Sequence, residues 1–243
     1  MSQKRLLILN ISICLIFVIA VSLAAVFLRS SETSREPVAP VDEDEVIEDD
    51  SWAFFLINEQ NPLPADYEPE LSRITGDFYL DARCAIYAVQ MLEAAAREGV
   101  VLHVVSAYRS LQRQADNFDN YVERLMSEGM SEIEAVTFTA SQIAAPGASE
   151  HNAGLALDIL SEDWFVYNND ITEDFEKTPE FRWLAVNSWK HGFILRYPKG
   201  TEDITGISYE PWHFRYVGID IAEQIYNSGL TLEEYTELYG NTD

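Results

Sequence analysis

Ser149-Glu150-His151-Asn152-Ala153-Gly154-Leu155-Ala156-Leu157-Asp158-Ile159 is the stretch on which the reading of this chain turns. It opens with polar residues, reaches a glycine, and continues as a short apolar run. Leu155 to Leu160 therefore reads as a buried strand, and Gly154 supplies the bend before it. A carboxylate inside such a strand needs a partner, and a cation is the simplest partner for Asp158. His151 taken alone reads equally as a hydrogen-bonded core histidine. A second short stretch, Glu210-Pro211-Trp212-His213, changes the balance. His151, Asp158 and His213 together offer two imidazoles and one carboxylate. That ligand set can hold one zinc ion with a position left open, as in catalytic rather than structural sites. Glu210 is then the spare carboxylate, suited to handling a proton. Pro211 makes a regular strand unfavourable between Glu210 and His213, so a bend can turn both toward one point.

The chain has four histidines, and the other two read as structural. His103 lies in an expected strand, Val100 to Ser106. His191 lies at an expected helix end, where a cation suits the helix dipole. A third element, Ser106-Ala107-Tyr108-Arg109-Ser110 with Gln114 one turn later, follows that strand. Arg109 alone reads as a surface ion pair. Beside a metal site it becomes a planar fork for a substrate carboxylate.

Bulk composition bounds the partners. The 243 residues carry a formal net charge of −25. Such a surface argues against nucleic acid and against tight binding to anionic lipid headgroups. Of the two cysteines, Cys14 sits in the apolar N-terminal run, so only Cys84 belongs to the folded part. That excludes a cysteine-rich zinc module and a stabilising disulfide between the two.

Three regions follow from the composition. Lys4 and Arg5 precede an uncharged run, Leu6 to Leu28, long enough to cross a bilayer, which takes about 20 residues. Residues 1–29 are expected to be a single-pass anchor with its N-terminus in the cytoplasm. A cleaved signal peptide is the rival, with a shorter apolar core. Residues 30–50 are acidic, with Pro37 and Pro40, and read as a disordered tether. Residues 51–243 form the domain, expected to work as a monomer outside the cell membrane. Ala53 to Ile57 reads as a first strand and Asp81 to Glu98 as an amphipathic helix. Further helices are expected over Leu111 to Met126, from Ser131 to about Ala144, from Pro179 to Lys190, over Asp220 to Ser228 and over Thr231 to Tyr239. Phe193 to Tyr197 and Glu210 to Val217 read as strands, and Asp163 to Glu176 as an acidic, aromatic insertion. Helices and strands mix without regular alternation, which points to an α+β domain with a small antiparallel sheet flanked by helices.

The three stretches Ser106 to Ser110, Ser149 to Ile159 and Glu210 to Gly218 occur in that order. Together they resemble the signatures of the D-alanyl-D-alanine carboxypeptidases of the VanY type, zinc peptidases whose family also includes VanX dipeptidases and LdcB-type LD-carboxypeptidases. The resemblance spans about Phe54 to Tyr239. Asn152-Ala153 departs from the commoner Gln-Thr without touching a ligand. The resemblance implies a hedgehog/DD-peptidase-like fold, zinc on His151, Asp158 and His213, and Glu210 as general base. It implies that Arg109 holds the terminal carboxylate of the substrate or polarises the scissile carbonyl. Ser149, Gln114 and Tyr108 would bind the rest, and Trp212 would shape the pocket. The implied substrate is a peptidoglycan stem peptide ending in D-alanine. An LD-carboxypeptidase, a dipeptidase or endopeptidase, and a non-catalytic cell-wall-binding module are the alternatives.

Overall fold

A computed structural model of the chain describes residues 50–164 and 171–240. The expected anchor at 1–29 and nearly all of the expected linker at 30–50 lie outside these residues. Among the described residues no helix is long and apolar enough to cross a membrane.

The chain enters through a 3-10 turn, Asp50–Ala53, and reaches a hairpin of β1 (Leu71–Thr75) and β2 (Phe78–Asp81). Helix α1 (Ala85–Arg97) follows, then β3 (Leu102–Ser106), α2 (Leu111–Ser127) and α3 (Glu132–Ala140). Next come β4 (Ala156–Ser161), α4 (Pro179–Asn187), β5 (Phe193–Leu195), the short α5 (Glu202–Thr205) and β6 (His213–Tyr216). Helices α6 (Ile219–Ser228) and α7 (Leu232–Tyr239) complete the described chain. The main sheet has the order β3-β4-β6-β5 with antiparallel neighbours throughout. This is the α+β architecture with small antiparallel sheets and surrounding helices.

Strand β4 is buried along its whole length, because β3 and β6 flank it and helices cover the sheet. Leu155, Leu157 and Ile159 enter the main core with Ala88, Met91 and Ala95 of α1, Leu184 of α4, and Phe214 and Tyr216 of β6. Period-two alternation then sends Ala156 and Asp158 to the opposite face. Helix α1 buries Ala85, Ala88, Met91 and Ala95. Ser131 with Glu134 and Thr231 with Glu234 form capping boxes at the starts of α3 and α7, as their spacing predicts. Thr178 caps α4, with Pro179 in its first turn.

Several expectations are corrected. Ala53 to Ile57 is not a strand. The carbonyls of Ala53 and Phe55 accept hydrogen bonds from Arg215 Nη2 at 2.8 and 3.1 Å, so a guanidinium takes the place of a neighbouring strand. The first helix begins at Ala85 rather than Asp81. Asp81 ends β2, and its carboxylate accepts from the Arg83 backbone N–H at 3.0 Å and from the Arg83 guanidinium at 2.9 and 2.7 Å. The β1–β2 hairpin is an addition. Its signal was present, since Gly76-Asp77 separates two short alternating runs and Gly76 has φ +48°. The third helix stops at Ala140. The helix expected to reach Lys190 ends at Asn187 and tightens into a 3-10 turn, Ser188–His191. The last strand starts only at His213, because Pro211 and Trp212 form a turn. His191 is half-buried. Burial first, then Lys190 and Arg97, lower its pKa and oppose the cationic reading. Of the expected insertion, residues 165–170 lie outside the described residues.

Candidate metal centre and active site

The site is assembled by strand pairing and one tight turn. In β4 and β6, Asp158 and His213 are directly opposed partners. On the other side of β4, the pairing with β3 shifts between Val104 and Ser106, so that Ser106 pairs with Asp158. This irregularity turns the end of β3 toward the site, a common use of bulges beside functional residues. His151 comes from a 3-10 turn, Glu150–Ala153, that ends at Gly154 with φ +69°. A Cβ at Gly154 would stand 2.7 Å from the Asp81 backbone nitrogen, so close approach as well as backbone conformation requires glycine there.

The loop after β3 is clamped to that turn. The Arg109 backbone N–H donates to the His151 carbonyl at 3.0 Å, and Asn152 Nδ2 donates to the Arg109 carbonyl at 2.7 Å. His151 Nδ1 lies 2.7 Å from the Ala107 carbonyl. That contact makes Nδ1 the protonated nitrogen and leaves the Nε2 lone pair facing Asp158. Hence Asn152, where the sequence departs from the commoner pattern, ties the arginine loop to the metal turn.

His151 Nε2 lies 3.3 Å from Asp158 Oδ2, and His213 Nδ1 lies 3.2 Å from Asp158 Oδ1. One ligand atom from each of the three residues falls within 4.8 Å of the others, and all three side chains are buried. Despite this proximity, His151 Nε2 and Asp158 Oδ1 make no hydrogen bond. Buried acceptors that converge without pairing fit a cation between them, and two imidazoles with one carboxylate suit zinc. Glu210 stands beside the set. Its Oε2 is 3.4 Å from His213 Nδ1. Burial raises its pKa, His213 and Arg109 pull it back, Asp158 and Glu150 push it up, and it reaches about 8.

The two imidazoles titrate apart. Burial above all, with help from Arg109, lowers His151 to about 4. Burial also disfavours the charged form of His213, but the carboxylates of Asp158 and Glu150 outweigh it and raise the pKa to about 9. Asp158 is held well below the usual carboxylate range, since the two histidines overcome the penalty of its burial.

Sequence reasoning did not assign Glu150, yet it is the inner support of the site. Its Oε2 accepts from His213 Nε2 at 3.2 Å, which leaves Nδ1 as the nitrogen facing Asp158 and Glu210. Its Oε1 accepts from Arg196 Nε at 2.6 Å and Arg215 Nη1 at 3.0 Å. Burial would raise the Glu150 pKa, but the two guanidiniums hold it below the usual carboxylate range. A carboxylate that orients a metal-binding imidazole from behind is a common outer support of such sites. The available signal was one acidic residue next to His151 and two arginines in apolar strands, each of which needed a buried counter-charge.

A cavity of about 420 Å³ opens over these groups. Its inner wall carries the triad, Glu210, Arg109 and Gln114, with Ser149 and Trp212 beside them. Arg109 is half-buried. Its Nε has no hydrogen-bond partner, and neither does Gln114 Oε1. Gln114 is held at its other end, where Nε2 donates to the Ala144 carbonyl at 2.7 Å. Tyr197, not foreseen, also lines the cavity and sits against His213, with ring centres 4.9 Å apart. Tyr108 is not among the lining residues. Its backbone N–H is bonded to the Tyr79 carbonyl at 2.9 Å, within the scaffold of the loop.

The chain is similar to known proteins. Residues 77–219 match the family described as VanY, D-alanyl-D-alanine carboxypeptidase. A D-alanyl-D-alanine carboxypeptidase of Enterococcus faecalis is 38% identical over 188 residues, which cover 77% of this chain and 67% of the relative. A crystal structure of a mutant of the vancomycin resistance D,D-pentapeptidase VanY with Zn(II) is similar at TM-score 0.67 and 38% identity, covering 76% of this chain and 98% of that one. The LD-carboxypeptidase LdcB is similar at TM-score 0.65 and 40% identity, covering 75% and 84%. With a two-histidine, one-aspartate set suited to zinc among the residues matched, the chain belongs to the VanY family of D-alanyl-D-alanine carboxypeptidases.

Proposed function

We propose that this chain is a zinc-dependent D-alanyl-D-alanine carboxypeptidase that removes the terminal D-alanine from peptidoglycan stem peptides. The observation that carries the reading is Glu210, a buried carboxylate 3.4 Å from His213 Nδ1, in the same cavity wall as Arg109. A module that only bound cell wall would have no use for a base at that point. Zinc, when bound by His151, Asp158 and His213, supplies Lewis acidity to the carbonyl and to water. Glu210 takes the proton of the attacking water and passes it to the departing D-alanine amine. Arg109 faces the same space with a charged planar fork and holds the terminal carboxylate. Gln114, through its unpaired Oε1, accepts a hydrogen bond from a peptide N–H, and Ser149 binds beside it. Trp212 closes the wall.

The testing experiment is mass spectrometry of pentapeptide and tetrapeptide stems incubated with the zinc-loaded domain. Loss of one D-alanine from the pentapeptide, and none from the tetrapeptide, is expected. Cleavage confined to the tetrapeptide would move the reading to the LD-carboxypeptidase side, which the similarity to LdcB keeps as the second reading.

Arg109 gives a prediction of its own. Amidation of the substrate C-terminus should cost the wild type far more than it costs Arg109→Ala, because only the wild type has a charged fork to lose. Arg109→Lys should restore little, since a point charge does not reproduce the bidentate geometry. Equal losses on amidation in both proteins would place Arg109 at the scissile carbonyl instead.

We further propose residues 1–29 as an uncleaved membrane anchor, 30–50 as a spacer, and the domain from residue 51 as a monomer on the outer face of the membrane. The support is the uncharged run from Leu6 to Leu28 behind Lys4 and Arg5. N-terminal sequencing of membrane-extracted protein should start near Met1. A start between Ala24 and Ser30 would identify a cleaved signal.

A further inference from the structure

The support behind His213 does not end within the segment that matches the family. That segment stops at residue 219. Glu233 lies beyond it, in the first turn of α7. Both of its carboxylate oxygens accept from Arg196, Oε2 from Nη1 at 2.8 Å and Oε1 from Nη2 at 2.5 Å. The remaining face of the same guanidinium, Nε, donates to Glu150 Oε1 at 2.6 Å. Glu150 Oε2 in turn accepts from His213 Nε2. The side chains of Arg196 and Glu150 are 1% and 0% exposed, while that of Glu233 is 15% exposed.

The guanidinium is planar, so its three nitrogens cannot move independently. A carboxylate that grips Nη1 and Nη2 fixes the plane and therefore the direction of the Nε–H bond. That direction fixes Glu150, and Glu150 selects the nitrogen that His213 turns toward Asp158. We propose that Glu233 is a positioning residue of the metal site. Helix α7 thus acts on His213 through Arg196 and Glu150, without touching substrate or metal. The proposal rests on the reading of His213 as a metal ligand.

The test compares zinc affinity, measured by chelator competition, in wild type, Glu150→Gln, Glu233→Gln and the double variant. Outer supports of metal ligands are typically worth ~10–100-fold in affinity. Glu150→Gln should fall in that range, and Glu233→Gln near its lower end, about tenfold. The double variant should bind no more weakly than Glu150→Gln alone, because Glu233 acts through Glu150. Proton NMR of the zinc-loaded proteins supplies a second readout. The His213 Nε2–H signal should move in Glu233→Gln, while the His151 Nδ1–H signal, whose acceptor is the Ala107 carbonyl, should stay. If Glu150→Gln does not fold, that pair of signals in Glu233→Gln and in the charge-keeping Glu233→Asp decides alone.

Multiplying losses in the double variant would overturn the proposal. So would an unmoved His213 signal, or a lowered Tm with unchanged zinc affinity, since each would make α7 merely a structural support. A wild type that binds no zinc would instead overturn the reading of the site itself.

Discussion

Glu210→Gln is expected to keep its zinc and its fold while losing ~10²–10⁴-fold in turnover, the usual worth of a positioned proton-transfer group. Glutamine keeps the size of the side chain and its place 3.4 Å from His213, but it cannot accept the proton. The proposed mechanism needs Glu210 as a base rather than as a fourth ligand. Among the described residues, the group whose ligand atoms converge within 4.8 Å is His151, Asp158 and His213, without Glu210. Substrate should still bind the variant. Zinc content and turnover are measured on one preparation. Zinc lost together with activity would make Glu210 a ligand, and near-normal turnover would move the base elsewhere.

The second large effect belongs to Asp158. Asp158→Ala should abolish activity and weaken zinc binding by more than the ~10–100-fold that an outer support is worth, because one of three protein ligands is gone. His151→Ala and His213→Ala should behave likewise. Elemental analysis after dialysis checks it: full zinc occupancy in the Asp158 variant would remove that residue from the set. The site also fixes the sign of the pH dependence. His213 holds its proton up to about 9. Binding at Nδ1 needs that nitrogen free, so zinc affinity should rise with pH toward that value and fall as the solution is acidified.

The candidate site residues were more legible in the sequence than their supports. His151, Asp158, Glu210 and His213 stood out because each is chemically costly where it sits: a carboxylate in an apolar strand, histidines in a chain with few of them, a proline between two polar residues. Helices with capping boxes were legible for the same local reason, since Ser131 with Glu134 and Thr231 with Glu234 carry the signal within four residues. What escaped was long-range. Arg215 reaches Ala53 and Phe55 across more than half the chain, and that bond replaced the expected first strand. Glu150 needed Arg196 and Arg215 as counter-charges, and no local pattern announces partners 46 and 65 residues away. The β1–β2 hairpin was missed for a different reason. Its second strand ends at Asp81, which also heads an apolar helical pattern, and the two periods overlapped there.

One consequence follows from the direct opposition of Asp158 and His213 in the β4–β6 pair. Insertion or deletion of a single residue inside either strand would throw one ligand to the far face of the sheet and abolish metal capture. The interval between the strands is pinned at fewer points, where β5 pairs with β6, where Arg196 reaches Glu150 and where Glu210 faces the cavity, so any change of length there must spare them.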